Sequence, residues 1–361
     1  MARRPEGPLR RGWTTGACAT AAARAAYTAL LTGHFPDPVT ITLPRGQTPS
    51  FPLAKTALAD DSATAGIVKD AGDDPDVTHG ALVIVTVSTG APGSGVIFRA
   101  GEGVGTVTRP GLELAVGEPA INPVPRRMMA DTVREVAELH DDRGDVEIEV
   151  AIPGGAALAA KTMNGRLGIV GGLSVLGTTG VVIPYSCSSW IHSIHRGIDV
   201  ARAAGLDHVA AATGSVSEAA VRRLYGLPDI ALLDMGDFAG GLLKYLRDHP
   251  LPRVTIAGGF AKLAKLAQGH MDLHSGRSRL DMGRLAAVAG GLGAAPDLVA
   301  RIVSANTARE ALDLAGQAGL PLADTVADLA CCVAQEAAGD ACAIEVLVFD
   351  RKGTQIGHSG G

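Results

Sequence analysis

The chain has 361 residues, of which 47% are hydrophobic and 19% charged, with a net charge of -5. That is length and apolar content for two ordinary domains; it excludes a disordered chain, and the 47 glycines, having no period of three, exclude collagen. The acidic balance and an aromatic content of 3% argue against a nucleic-acid partner, which calls for a basic surface carrying stacking rings.

Thr14-Thr15-Gly16 leads into helix formers from Ala17 to Leu31, closed by Gly33, a pattern that predicts a helix with Thr15 as N-cap. Arg24 interrupts this small-residue run too early for a signal-peptide core. Strand-like runs follow at 39–43, 81–88, 96–100 and 146–152, with a helix over 128–140 and glycine-rich turns such as 90–95 between them. Residues 167–191 carry no charge and are long enough to cross a bilayer, but glycines, Pro184 and the polar stretch 185–189 predict short buried strands and turns instead.

Beyond residue 190 the pattern alternates. Helices are predicted over 191–204, 216–225, 238–246 and 261–268, and strands over 208–213, 230–234 and 254–257. Helices then dominate 284–338, before a late strand at 343–349. Such alternation implies right-handed crossovers and a parallel sheet. The expected architecture is an α+β N-terminal domain with glycine-rich loops over 1–190, followed by a Rossmann-like α/β domain with a mostly parallel sheet over 191–361. The five cysteines (Cys18, Cys187, Cys331, Cys332, Cys342) are odd in number and form no C-x-x-C pair, so neither a disulfide framework nor a zinc ribbon is expected. Cys331 and Cys332 read as buried thiols of an apolar helix, and a reducing cytoplasm as the location.

Several segments carry candidate chemistry, each with a plainer reading beside it. Gly101, Gly103 and Gly105 follow a strand, where a side-chain-free loop lets backbone N–H groups approach a phosphate, carboxylate or nucleoside; a structural turn is the competitor. Thr213-Gly214-Ser215-Val216-Ser217-Glu218 joins a strand to a helix whose start favours a negative group, with Ser215 or Ser217 as cap. Asp234 and Asp237 end the next strand, placed for ribose hydroxyls, against ordinary turn chemistry. Between Lys69 and His79 stand Asp70, Asp73, Asp74 and Asp76; crowded carboxylates raise one another's pKa, which makes Asp74 or His79 a candidate base, against a solvated acidic turn. In an extended segment His270, Asp272 and His274 would share a face, suited to a proton relay or substrate contact; no third ligand stands nearby, so no protein-bound metal is expected. Arg10, Arg11, Arg126, Arg127, Lys161, Arg166, Lys262 and Lys265 include several cations beside glycine-rich turns, where they can grip carboxylates or serve only as surface charge.

Taken together the blocks resemble the CbiD family of cobalt-precorrin-5B C1-methyltransferases. The resemblance rests on Leu9-Arg-Arg-Gly-Trp-Thr-Thr-Gly16, Lys69-Asp-Ala-Gly-Asp-Asp-Pro-Asp76, Gly101-Glu-Gly-Val-Gly105 and Ile121-Asn-Pro-Val-Pro-Arg126. It continues through Lys161-Thr-Met-Asn-Gly-Arg-Leu-Gly168, Gly177-Thr-Thr-Gly180, Met235-Gly-Asp-Phe238 and Gly269-His-Met-Asp-Leu-His-Ser275. Leu273, where a threonine is expected, and Ala257-Gly-Gly-Phe260, where a more polar turn is expected, depart from the family pattern.

The resemblance implies methyl transfer from S-adenosylmethionine to C1 of a ring-opened corrin precursor, with cobalt carried by that tetrapyrrole substrate and not by the protein. The donor is then expected on the second domain, at Gly214, Ser215, Asp234 and Asp237, with Gly101, Gly103 and Gly105 as the competing place. A base is expected among Asp74, His79 and His270, and substrate contacts from Thr14, Thr15, Arg126, Lys161, Arg166, Thr178, Thr179 and His274. Neither nucleic acid nor membrane is an expected partner; a homo-oligomer stays open. Two other classes compete: a carrier that shields a corrinoid intermediate without catalysis, and a nucleotide-dependent oxidoreductase, which would need a full G-x-G-x-x-G where Gly214 has no glycine partners.

Overall fold

Small residues let helix α1 (Thr15–Thr32) run through the interior of the first half of the chain, with alanines 17, 19, 21, 22, 23, 25, 26 and 29 fully buried. Its N-cap is Thr14, not Thr15: Thr14 is extended (φ -77, ψ 161) and its Oγ1 accepts the Ala17 N–H, while Thr15 is already helical. The structure is a computed structural model that describes residues 7–360, and it divides between Cys187 and Ser188 into two units.

In the first unit, strands β1 (Lys55–Leu58), β2 (Ser62–Val68), β3 (Leu82–Thr89), β4 (Val96–Ala100) and β5 (Val146–Ala151) form one sheet in the order β1-β2-β3-β5-β4. All pairs are antiparallel except β5 with β4. The first two strands escape the sequence pattern because alanine, threonine and glycine make up most of them, so their inward and outward faces hardly differ in hydrophobicity. Helix α1 packs on β2, β3 and α2 (Pro123–Leu139). Helix α2 starts five residues earlier than expected, since Pro123 and Pro125 occupy a first turn that needs no N–H partner. The charge-free stretch holds Ile169–Val170, paired with Thr106–Val107, and Val181–Val182, paired with Gly12–Trp13. No helix among the described residues is long and apolar enough to cross a membrane.

Helix α3 (Cys187–Ala203) leads into the second unit, four residues ahead of its expected start. Strands β6 (His208–Ala212), β7 (Leu232–Asp234), β8 (Arg253–Gly259), β9 (Ala343–Phe349) and β10 (Gln355–His358) pair in the order β7-β6-β8-β9-β10. The pairs are parallel up to β9, and only β10 runs antiparallel. Helices α4 (Ser215–Tyr225), α5 (Ala239–Asp248) and α6 (Phe260–Ala267) follow the first three of these strands; α7 (Met282–Gly291), α8 (Pro296–Val303), α9 (Ala308–Gln317) and α10 (Leu322–Ala338) fill the rest. Val209 to Ala212 are consecutively buried, as are Val254 to Ala257 and Val346 to Phe349, because a covered parallel sheet buries both faces of each strand. Cys332 is exposed, a correction to the expectation of a buried thiol; Cys18 and Cys342 are the buried ones.

One polar cluster crosses this second sheet. Glu345 on β9 accepts hydrogen bonds from Tyr225 Oη at 2.7 Å, Thr255 Oγ1 at 2.5 Å and Arg253 Nη2 at 3.0 Å, and lies 3.0 Å from His358 Nε2. Burial pushes its carboxyl up, but the hydrogen bonds from Thr255, Tyr225 and Arg253 outweigh burial and bring it down to about 2. A depressed carboxyl stabilises the fold above its unfolded pKa, and the effect fades as pH falls through the folded value. Glu345→Gln should therefore cost ~2–3 kcal/mol at pH 7, with the deficit shrinking from about pH 4.5 toward pH 2. Urea unfolding of both proteins across that range checks it; a pH-independent deficit would refute the linkage.

Candidate functional site

In the first unit, three of the sequence blocks meet at the start of α1. Trp13 N–H donates to Asp70 O (2.7 Å), Thr14 N–H to Gly180 O (3.0 Å) and Gly16 N–H to Leu176 O (3.0 Å). Gly12 lies so close to the Ala71 backbone, and Gly177 (φ +133) to the Thr14 side chain, that a Cβ at either place would collide. The hydroxyls expected to meet substrate are mostly engaged here. Thr14 Oγ1 caps the helix, Thr15 Oγ1 clamps both the N–H and the C=O of Leu176, and Thr179 Oγ1 accepts the Val181 N–H. They join a loop to a helix; Thr178 is the exposed member of this set.

The acidic turn reverses the pKa expectation. Asp70 pairs with Arg10, whose hydrogen bond, helped by the Gly72 N–H, holds the carboxyl down at about 2. Burial pushes Asp76 up, but the charge and hydrogen bond of Lys69, with those from Thr78, outweigh it and leave the carboxyl below its ordinary range. Lys69 is 1% exposed and its Nζ lies 2.6 Å from Asp76. The cations and donors bound to Asp70 and Asp76 thus set the direction of both shifts, not repulsion between carboxylates. His79 Nδ1 accepts the Ala71 N–H at 3.1 Å, so the neutral ring carries its proton on Nε2 and has no free lone pair for a general base. Asp74 keeps a carboxylate oxygen for other work, its Oδ1 accepting the Tyr185 N–H at 2.8 Å.

The glycine loop is a packing element. Gly101, Val104 and Gly105 donate their N–H groups to Val150 O, Gly101 O and Leu173 O. Gly103 has φ +74, and a Cβ there would collide with Ile152 O; Gly155 and Gly172 lie against the same residue. These three N–H groups are thus turned into the chain and not toward a ligand. Arg126 is also committed, to Ile121 O (2.8 Å), Pro119 O (3.0 Å) and Glu118 (2.8 Å). Lys161 is exposed and Arg166 half-buried.

In the second unit, β6 and β8 are neighbours whose onward connections run to opposite sides, β6 to β7 and β8 to β9. Open parallel sheets form a ligand crevice at such a reversal, beyond the carboxyl ends of the strands. A cleft of about 450 Å³ lies there, lined among others by Gly214, Ser215, Gly259, Lys262, Arg309 and Arg351. Helices α4 and α6 both begin at it, from Gly214 and Gly259, and neither start has a side-chain cap. Ser217 does not cap α4: its Oγ donates to Gly214 O at 2.9 Å. A Cβ on Gly214 would meet nothing within 4 Å, so the cleft reaches the backbone itself.

Lys262 forms part of the cleft wall; its Nζ donates to Thr213 O (2.7 Å) and pairs with Asp237. Asp237 Oδ1 is buried, 3.1 Å from that ammonium and out of line for a hydrogen bond. Neither Asp237 nor Asp234 lines the cleft. The 270–275 segment is irregular and unpaired, with a bend at Met271 and a turn beginning at Ser275. Asp272 pairs with Arg277 (2.7 Å) and accepts the His274 N–H, and His274 Nδ1 accepts the Gly276 N–H, so both side chains are tied to their own loop. Leu273 N–H donates to Asp237 O and Gly240 N–H to Met271 O, both at 2.8 Å, which sets this segment beside the Met235–Phe238 block. His270 is half-buried, and among the described residues no hydrogen bond engages its ring, which makes it the most available of the three candidate bases. Sequence reasoning missed Arg309 and Arg351. The signal for Arg351 was the hairpin turn Asp350-Arg-Lys-Gly353, hidden because β10 was not recognised as its second strand.

A crossed-over parallel sheet with an open cleft at its strand ends belongs to the α/β proteins that hold small molecules. The chain is a member of the CbiD family: the profile described as CbiD matches residues 2–184, and that described as CbiD, C-terminal domain, matches 272–360. A relative from Paramagnetospirillum magneticum named cobalt-precorrin-5B C(1)-methyltransferase is 62% identical over 98% of this chain and 99% of its own. Relatives of the same name from Bradyrhizobium sp. (60%, over 97% of this chain and 94% of theirs) and Brucella anthropi (61%, over 96% and 94%) are similar throughout. A crystal structure of the cobalamin biosynthesis protein (cbiD) from Archaeoglobus fulgidus matches 71% of this chain and 78% of its own, with 25% identity and a TM-score of 0.40.

The Lys69–Asp76 pair gives the acidic turn a structural role that can be measured. Asp76→Asn strands a buried ammonium without its counter-charge and should destabilise the protein by about 3–5 kcal/mol in denaturant unfolding. A loss under about 1 kcal/mol would mean the ammonium is solvated, and the structural reading of the turn would fall.

Proposed function

We propose that this chain is an S-adenosylmethionine-dependent C-methyltransferase acting on C1 of cobalt-precorrin-5B in cobalamin biosynthesis. The products are cobalt-precorrin-6A and S-adenosylhomocysteine, and the site of action is the cytoplasm. The observation that carries this reading is identity of 60–62% over 96–98% of the chain to relatives bearing that activity in their names. Cobalt belongs to the substrate. The chain is read as two domains, 1–190 and a Rossmann-like 191–361, with the donor on the second.

The cleft between β6 and β8 supports that placement. Its volume is in the range that takes a nucleoside-sized ligand. The open start of α4, at Gly214 and Ser215, suits the donor's amino-acid carboxylate, because free N–H groups and the helix dipole both favour negative charge there. The ribose role expected of Asp234 and Asp237 finds less support, since Lys262 stands between Asp237 and the cleft. The competing place, Gly101 to Gly105, has three N–H groups already turned inward.

In the transfer, the electron pair of the ring carbon attacks the donor methyl in line, and the carbon–sulfur pair stays on sulfur. The protein's part is to hold donor and acceptor at near-attack distance away from water. A proton released as the macrocycle restores its conjugation goes to a base, for which His270 is the best-placed candidate. Lys161, exposed beside a glycine-rich turn, is the candidate for a carboxylate arm of the substrate.

Incubation with methyl-labelled S-adenosylmethionine and cobalt-precorrin-5B should label the tetrapyrrole and release S-adenosylhomocysteine. A carrier would bind the tetrapyrrole and transfer nothing; an oxidoreductase would oxidise or reduce a nicotinamide cofactor. Gly214→Val tests the donor's place. Its side chain enters open space, so the melting temperature should hold, while the Kd for S-adenosylmethionine measured by calorimetry rises about tenfold or more. An unchanged Kd would move the donor out of this cleft.

A further inference from the structure

Lys265 is buried, 8% exposed, and forms no ion pair with any described carboxylate. Its Nζ donates to one group, Leu273 O, at 3.0 Å. An ammonium taken out of water without a counter-charge costs the fold several kcal/mol, and an apolar side chain of the same length would avoid that cost. The position invites the question of what the charge does there.

The backbone answers it. The carbonyl of the same residue accepts the His270 N–H at 3.0 Å, so Lys265 holds both ends of the segment from His270 to Leu273, one through its main chain and one through its side chain. Between them stands the one candidate base whose ring is unengaged. The far side of the segment is fixed by Leu273 N–H to Asp237 O and by Met271 O to Gly240 N–H, and the Leu273 side chain is buried. The backbone of the segment is therefore fastened at His270, Met271 and Leu273, while the His270 imidazole bonds to no described residue.

We propose that Lys265 is a positioning residue for His270: its ammonium fixes the Leu273 carbonyl and thereby sets where the imidazole stands during methyl transfer. This rests on the methyltransferase reading above. It assigns no contact between Lys265 and substrate, and the donor cleft does not include it.

The test uses the full chain, S-adenosylmethionine and cobalt-precorrin-5B, with Lys265→Met, His270→Ala and the double variant. Lys265→Met loses a hydrogen bond to Leu273 O but also a buried unpaired charge, so its melting temperature should stay within about 3 °C of the parent. Its Kd for S-adenosylmethionine should be unchanged and its kcat about tenfold lower or less. Because Lys265 acts through His270, the double variant should be no slower than His270→Ala alone. An unchanged kcat in Lys265→Met, a parental kcat in His270→Ala, or multiplied losses in the double variant each overturn the proposal. Should Lys265→Met fail to fold, Lys265→Arg takes its place: retained charge and donor should preserve most of kcat, and a loss equal to that of His270→Ala overturns it. Absence of methyl transfer by the parent protein would instead strike the methyltransferase reading, so the two failures are distinct.

Discussion

Main chain packed directly on main chain is the constraint on which the first unit depends. Gly103, Gly155 and Gly172 meet where no Cβ fits, and Gly105 lies against the Gly172 carbonyl in the same knot. Gly12 against the Ala71 backbone repeats the device at the start of α1, where Gly177 also makes room for the Thr14 side chain. Each such contact fixes two loops at a separation that only glycine allows. A unit that joins its loops backbone to backbone, around an alanine helix, leaves little room for rings at those joints.

Charge is distributed under the same economy of space. Lys69 is buried with a carboxylate beside it, and Arg126 is turned inward onto two carbonyls and Glu118. Lys262 joins the end of β6 to Asp237 beyond the end of β7. In all three a long cation fastens polar loop groups that hydrophobic packing could not hold. The net charge of -5 describes none of this, since recognition of an acidic ligand depends on which few cations remain unspent.

The second unit was legible because alternation is a strong signal. Buried parallel strands read as short continuous apolar runs, and each helix between them shows its own period. The late strand 343–349 came out with its observed limits for the same reason, while β10, with Gly357 at its centre and His358 at its end, gave no apolar pattern to read. In the first unit β1 and β2 were invisible for want of a hydrophobic contrast. The site was legible only as a set of segments. Sequence brought forward candidate loops, 69–79, 101–105, 213–218, 235–238 and 270–275, but could not say which groups face inward. That depends on partners distant in the chain, such as Leu176 for Thr15 and Ile152 for Gly103.

Knowing those partners narrows the chemistry by elimination. A hydroxyl that caps a helix, a histidine that accepts a backbone N–H, or a guanidinium spread over two carbonyls cannot serve a ligand without first abandoning a bond that holds the loop. Thr14, Thr15, His79, Arg126 and three N–H groups of the glycine loop are spent in this way. What remains has reach and little structural duty: Ser215 at an uncapped helix start, Arg351 on a hairpin turn, Lys161 and Thr178 on exposed loops, and the ring of His270. Each motif thus divides into a majority of groups that build the loop and a minority left available to a ligand, and it is the hydrogen-bond partners that tell them apart.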